Sequence, residues 1–386
     1  MKLTQYFKKF FDSSQSSGIL LITCVFISIF IANSSSGTYF QNGLDYRLGE
    51  YTVSTWINDG LMTFFFLLVG LEIKREMLQG ELSRIKNASL PILAAVGGML
   101  VPALIYSFFN QGTEYAKGWG IPMATDIAFS LAIISLLSKH TPLSLKIFLA
   151  ALAIVDDLGA ILVIAIFYTD KIIWTYLGAS LGILLILMLL NKGGVKKYIW
   201  YLLPGLVLWY CIHHSGIHAT ISGVLLAFSI PSHKKSKKEI SPLEKLEERL
   251  YIPVNYIIMP LFALANTNIV FHTGMVDGLF TSFGAGIIGG LVAGKLTGIL
   301  LFSFIGIKLG LSSLPLHARW SHMVGVGLLA GIGFTMSVFI SILSFKGDTG
   351  IQDEAKFAIL IASSIAGLSG YSVLKLISKN KYQKHL

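Results

Sequence analysis

Apolar residues run along this chain in long blocks with no polar face. Such blocks are near residues 17–33, 58–74, 89–109, 117–137, 144–168, 172–190, 198–212, 216–230, 251–271, 283–304, 321–344 and 356–377, each closed by charge or by Gly, Pro and Asn. A bilayer core about 30 Å thick needs roughly 20 apolar residues per helix, so the pattern predicts about twelve transmembrane helices, the seventh and eighth being short. One extramembrane segment breaks the pattern: Asp45–Trp56 (DYRLGEYTVSTW) has strand-forming residues around a glycine and no helical period. It reads equally as an irregular loop or as a small hairpin within 45–58, whose edge would suit pairing with a second copy.

Composition agrees. Of 386 residues, 54% are hydrophobic and 13% charged, and the mean hydropathy is +0.71, which excludes an ordinary soluble domain. The fold class is therefore an all-α polytopic membrane protein, a single integral domain over 1–386. The net charge of +10 is read as loop bias rather than as a nucleic-acid surface. Of the 30 Lys and Arg, only Arg47, Lys117, Lys171, Lys346 and Lys356 fall in the odd-numbered connections, and Lys295 lies inside a span. The remainder crowd the even connections and both tails, so both termini are expected in the cytoplasm. Lys2, Lys8 and Lys9 precede a retained first span, entered by an interfacial helix over Tyr6–Phe11, not a cleaved leader. Cys24 and Cys211 sit in apolar runs and offer neither a disulfide scaffold nor a metal motif.

Of the 20 acidic residues, all but Asp126, Asp156 and Asp157 belong to loops, tails or helix ends. Those three and Lys295 fall near the middle of spans, where an ionisable group costs at least about 2.5 kcal/mol unless paired or hydrated. Three carboxylates facing one ammonium leave excess negative charge, which a bound cation or protons would remove. Adjacent positions on a helix point about 100° apart, so Asp156 and Asp157 serve different directions, and two such acids titrate as a coupled pair. Oxygen donors suit Na+ or Li+.

The fourth span reads GWGIPMATDIAFSLAII and the eleventh GVGLLAGIGFTMSVFIS. Glycine and Pro122 before Asp126, and glycines up to Gly333 before Thr335, predict an interrupted helix in each. With the orientation above, spans three to five and ten to twelve run in opposite senses, so units of about 89–168 and 283–377 form an inverted repeat with the interrupted helices crossing near the midplane. Asp126 would then face half-helix N-termini and Lys295 half-helix C-termini.

The strings ATDIAFS (Ala124–Ser130), AIVDDLGAI (Ala153–Ile161), SGIHATISG (Ser215–Gly223), GLEIKRE (Gly70–Glu76) and GIGFTMS (Gly331–Ser337) resemble the NhaA-type sodium/proton antiporters. The resemblance runs from the first span to the last. It implies that Asp156 and Asp157 are the ion- and proton-binding pair, with Asp157 the direct ligand of Na+ or Li+. It implies that Thr125 and Asp126 hold the crossing and that Lys295 pairs with an aspartate in electrogenic proton coupling. Glu72, Arg75, Glu76 and Glu247 match a cytoplasmic funnel associated with pH regulation, and His218 matches a histidine of the family. Glu248 and Tyr251 stand where some members carry histidines, which leaves the funnel poor in groups that titrate near neutrality.

The expected function is thus export of sodium or lithium in exchange for protons by alternating access, in the inner membrane of a bacterium, serving pH and sodium homeostasis. No cofactor is expected beyond the transported ions; the partners are those ions, membrane lipid and a second copy through 45–58. An intramembrane aspartyl protease using Asp126 and Asp156 lacks a GxGD string, and a passive cation channel is disfavoured by a lysine beside the path. HExxH and Walker A strings are absent.

Overall fold

A computed structural model describes residues 14–137, 141–169, 171–233 and 240–383. The expected interfacial helix at Tyr6–Phe11 and part of the basic segment His233–Arg249 lie outside the described residues. In chain order the elements are α1 (Ser14–Ala32), α2 (Gly37–Asp45), β1 (Arg47–Leu48), β2 (Tyr51–Thr52), α3 (Val53–Gln79), α4 (Ile85–Asn110), the 3-10 half-helix α5 (Glu114–Met123), α6 (Ile127–Leu136) and α7 (Leu143–Phe167). They continue with α8 (Trp174–Lys192), α9 (Ile199–His214), α10 (Ile221–Ser229), α11 (242–266), α12 (Ser282–Lys308), α13 (Trp320–Ala330), α14 (Phe334–Ser344) and α15 (Thr349–Gln383).

Each apolar block of the sequence falls on one of these helical stretches. Among the described residues, six helices are long and apolar enough to cross a bilayer, or up to nine if each bent pair is one span. The blocks that fall short are α9, α10 and α11, the first two because they are brief. Helix is what these sequences must adopt in hydrocarbon, because it satisfies every backbone group within the segment. Within the 45–58 segment a hairpin forms over residues 47–52, where Arg47 pairs with Thr52 and Leu48 with Tyr51, antiparallel, while the residues from Val53 on belong to α3. Gly49 takes the left-handed conformation (φ 74°) that its two-residue turn requires.

The chain divides into two compact units, one of Met1–Asn33, Glu81–Ala160 and Asn266–Leu386, the other of Ser34–Gly80 and Ile161–Ala265. In the first, α4 and α12 lie antiparallel in near backbone contact. A Cβ on Gly97 would stand 2.2 Å from the carbonyl oxygen of Gly298, and one on Gly298 would stand 2.1 Å from that of Gly97. Small residues at such a seam give membrane helices the dispersion contact that hydrophobicity cannot supply in lipid. Against this pair sit the two interrupted helices, α5/α6 bent by 42° at residues 124–126 and α13/α14 bent by 44° at 331–333. The extended backbone at one break pairs with the other, the Asp126 amide donating to Ile332 O at 2.6 Å.

The second unit is organised around the buried side chains of Leu67, Leu71, Tyr201, Leu208, Leu226 and Leu243. Within it α3 and α10 pack closely, Gly70 lying against Ala227 and Val224.

Candidate ion site

The site grows out of the two helix breaks. An interrupted helix leaves carbonyls at one end and amides at the other without partners, and in oil these must be met by side chains. Asp126 is the N-cap of α6, its Oδ1 accepting the Phe129 amide at 3.1 Å. Its Oδ2 accepts the Thr335 amide at 3.1 Å and the Thr335 hydroxyl at 2.5 Å. One carboxylate therefore caps the N-termini of α6 and α14 together and lies against the positive end of both dipoles.

Lys295 does the complementary work. Its ammonium donates to Met123 O, the last carbonyl of α5, and to Asp156 Oδ2 at 2.7 Å. Lys295 and Asp156 are both 0% exposed. The Thr125 hydroxyl lies 2.7 Å from the same Asp156 oxygen and 2.8 Å from Ala330 O, the last carbonyl of α13. Asp156 Oδ1 is buried and accepts no hydrogen bond among the described residues. Asp157 follows it on α7, also buried.

Of the residues predicted from sequence, Thr125, Asp126, Asp156, Lys295 and Thr335 thus meet in one network. Pro122 and Gly333 flank it at the two breaks, Gly333 so tightly that a Cβ there would fall 2.2 Å from Ser337 Oγ and 3.1 Å from Ala124 O. Asp126 and Asp156 are held by different partners, so they do not form the shared-proton dyad of an aspartyl protease.

The remaining predicted residues belong to the second unit and make two clusters. Arg75 Nε donates to Glu247, 3.0 Å from both carboxylate oxygens, and its Nη1 donates to Glu76 at 2.6 Å. Glu72 is one turn back on the same helix face. Burial pushes the Glu247 carboxyl up, against the downward pull of Arg75. His218 stands elsewhere: its Nε2 is 3.5 Å from Asp59 Oδ1, and His213 Nδ1 is 3.8 Å from Asp59 Oδ2. Asp59 lies thirteen positions before Glu72 on α3, about 20 Å along the helix.

Sequence reasoning missed Asp59 as the partner that His218 shares with His213, and the carbonyls of Met123, Ala330 and Ile332. The string CIHHSGIH, with three imidazoles in six positions, was a signal for the first. Backbone carbonyls have none beyond the glycines that predict a break.

The family model described as "Na+/H+ antiporter 1" matches residues 8–374. A protein of Flavobacterium johnsoniae named Na(+)/H(+) antiporter NhaA 2 is 56% identical, over 98% of this chain and 94% of its own. The Na(+)/H(+) antiporter NhaA of Flavobacterium psychrophilum is 50% identical over 98% of both, and that of Cytophaga hutchinsonii 47% identical over 100% of this chain and 99% of its own.

Proposed function

Belonging to the Na+/H+ antiporter 1 family, the chain is a multi-pass membrane transporter that exchanges sodium for protons, and we propose that both ions compete for the carboxyls of Asp156 and Asp157. The observation that carries this reading is the buried Asp156 Oδ1, which has no donor among the described residues. An acceptor in that state costs about 1–3 kcal/mol unless something satisfies it. A proton or a desolvated Na+ or Li+ held between Asp156 and Asp157 does so, and the one ammonium, bonded to Asp156 alone of the three buried aspartates, leaves the negative charge for it. Lys295 then exchanges partners in the cycle: it pairs with Asp156 when the site is free of sodium and yields the carboxylate when the cation arrives. Asp126 keeps the crossing charged and capped throughout.

The proton gradient drives sodium out by alternating access, and a change in Lys295 pairing makes the exchange electrogenic. The reciprocal bonding of ATDIAFS and GIGFTMS at the two breaks supports the inverted-repeat reading of 89–168 and 283–377. The cluster of Glu72, Arg75, Glu76 and Glu247 regulates the response to pH from the cytoplasmic side, with His218 acting at the other end of α3. The protein sits in the bacterial inner membrane with both termini cytoplasmic, surrounded by lipid, and dimerises through the 45–58 hairpin.

Everted vesicles test the site. Sodium or lithium added to wild-type vesicles holding a proton gradient should collapse it, and Asp157→Asn should abolish that response. Full sodium-dependent proton movement by the variant would remove Asp157 from the mechanism.

A further inference from the structure

Two serines are buried at the crossing and used by none of the steps above. The Ser130 hydroxyl, on α6, donates to Leu329 O at 2.9 Å. The Ser337 hydroxyl, on α14, donates to Ile121 O at 2.7 Å. Both side chains are 0% exposed. They end the two matched strings, ATDIAFS and GIGFTMS, at the same place in each. Each therefore reaches from one interrupted helix to the carbonyl end of the other.

This is not what a serine in a membrane helix ordinarily does. Its hydroxyl usually returns to a carbonyl one turn back on its own helix. Ser341 does so on α14, donating to Val338 O at 2.8 Å, as do Ser180 to Tyr176 O and Ser344 to Ile340 O. The bonds of Ser130 and Ser337 instead join residues 199 and 216 positions apart.

The carbonyls they reach matter because of their neighbours. Ile121 is two residues before Met123, whose carbonyl holds Lys295; Leu329 is one residue before Ala330, whose carbonyl faces Thr125. Leu329 O also closes the last turn of α13 by accepting the Ile332 amide at 3.2 Å. Lys295 and Thr125 are the two groups bonded to Asp156 Oδ2. A half-helix end that frays moves the carbonyl beside it, and with it the group that sets the charge and orientation of Asp156. We propose that Ser130 and Ser337 are a reciprocal pair of positioning residues, each capping the C-terminal end of the opposite half-helix and so fixing Lys295 and Thr125 on the ion site. The two touch no ion; they act through the backbone.

The inference rests on the Asp156/Asp157 reading, and sodium kinetics at several pH values test it separately. Ser130→Ala and Ser337→Ala should each raise the apparent sodium KM by about five- to tenfold, the scale of one buried hydrogen bond lost, and displace the pH profile, while kcat changes less. Ser341→Ala, equally buried on the same helix, should leave KM and profile as in the wild type. Threonine at either position restores the hydroxyl and should recover most of the KM. Because both serines brace one crossing, the double alanine variant should lose less than the product of the single effects. Should Ser337→Ala fail to assemble, Ser130→Ala and the threonine variants carry the same comparison. Wild-type KM and pH profile in the alanine variants, an equal effect from Ser341→Ala, or multiplicative effects in the double variant would each overturn the proposal. A normally transporting Asp157→Asn would instead remove the site reading beneath it.

Discussion

Lys295 shows how much one side chain can be asked to hold. Its ammonium satisfies the end of α5 at Met123 O and neutralises Asp156 at 2.7 Å, both in the buried interior. Removing one partner of a buried ion pair is worse than removing both, because the survivor keeps its charge and loses its compensation, at about 3–5 kcal/mol. Lys295→Met should therefore lower the melting temperature in detergent sharply. The double variant Lys295→Met/Asp156→Asn should regain most of the loss, since the amide has no charge to strand. A double variant no more stable than the single one would mean that the α5 carbonyl, rather than Asp156, is what the lysine chiefly stabilises. Asp126 contrasts with this pair: three donors from α6 and α14 surround it, so its charge is spent on the fold.

At the scale of elements, Glu247 gives a case where the sign can be worked through. It stands on α11, outside the spans, facing Arg75 of α3. Burial holds its carboxyl above the usual glutamate range despite the arginine, so the folded protein prefers the protonated acid. That preference is in full force below the ordinary glutamate value and fades as pH climbs through the raised one. Glu247→Gln stays neutral at every pH, and Arg75 retains Glu76 at 2.6 Å. The variant's melting temperature should consequently fall less than the wild type's between mildly acidic and alkaline pH; parallel curves would show that Arg75 compensates Glu247 fully. Elements of this kind were partly legible beforehand. Apolar blocks long enough for a bilayer leave helix as the only choice, and Gly and Pro122 ahead of Asp126 announced a break because they weaken a helix where a charge waits. The hairpin was visible in DYRLGEYTVSTW only as an alternative to a loop. What the sequence concealed is whatever depends on folding together: which carbonyl Lys295 reaches, that one Asp126 caps two helices, and that His218 meets Asp59 across more than 150 positions. The π turns at Trp56–Leu61, 254–258 and Gly289–Gly294 were hidden too, because an extra residue in a turn leaves no compositional mark in an apolar run.

For the molecule as a whole, the open question is parity, and the shortest helices decide less than they seem to. The helix α9 has 16 residues and ends on His213 and His214, and α10 has nine. If the two cross the membrane separately, the turn between them is external. If they dip in and return as a pair, the number of crossings drops by two and both termini still share a side. The excess of Lys and Arg in the even connections and tails then predicts that this side is the cytoplasm. A fluorescent protein that matures only in the cytoplasm, fused after Leu386, should accordingly be bright in intact cells, and a dark fusion would reject the orientation. The second distinction needs a residue at the turn. With Cys24 and Cys211 replaced by alanine, His214→Cys should react with an impermeant thiol reagent added to whole cells when α9 and α10 are full crossings. Protection in intact cells, with labelling only after the membrane is opened, would favour the returning pair.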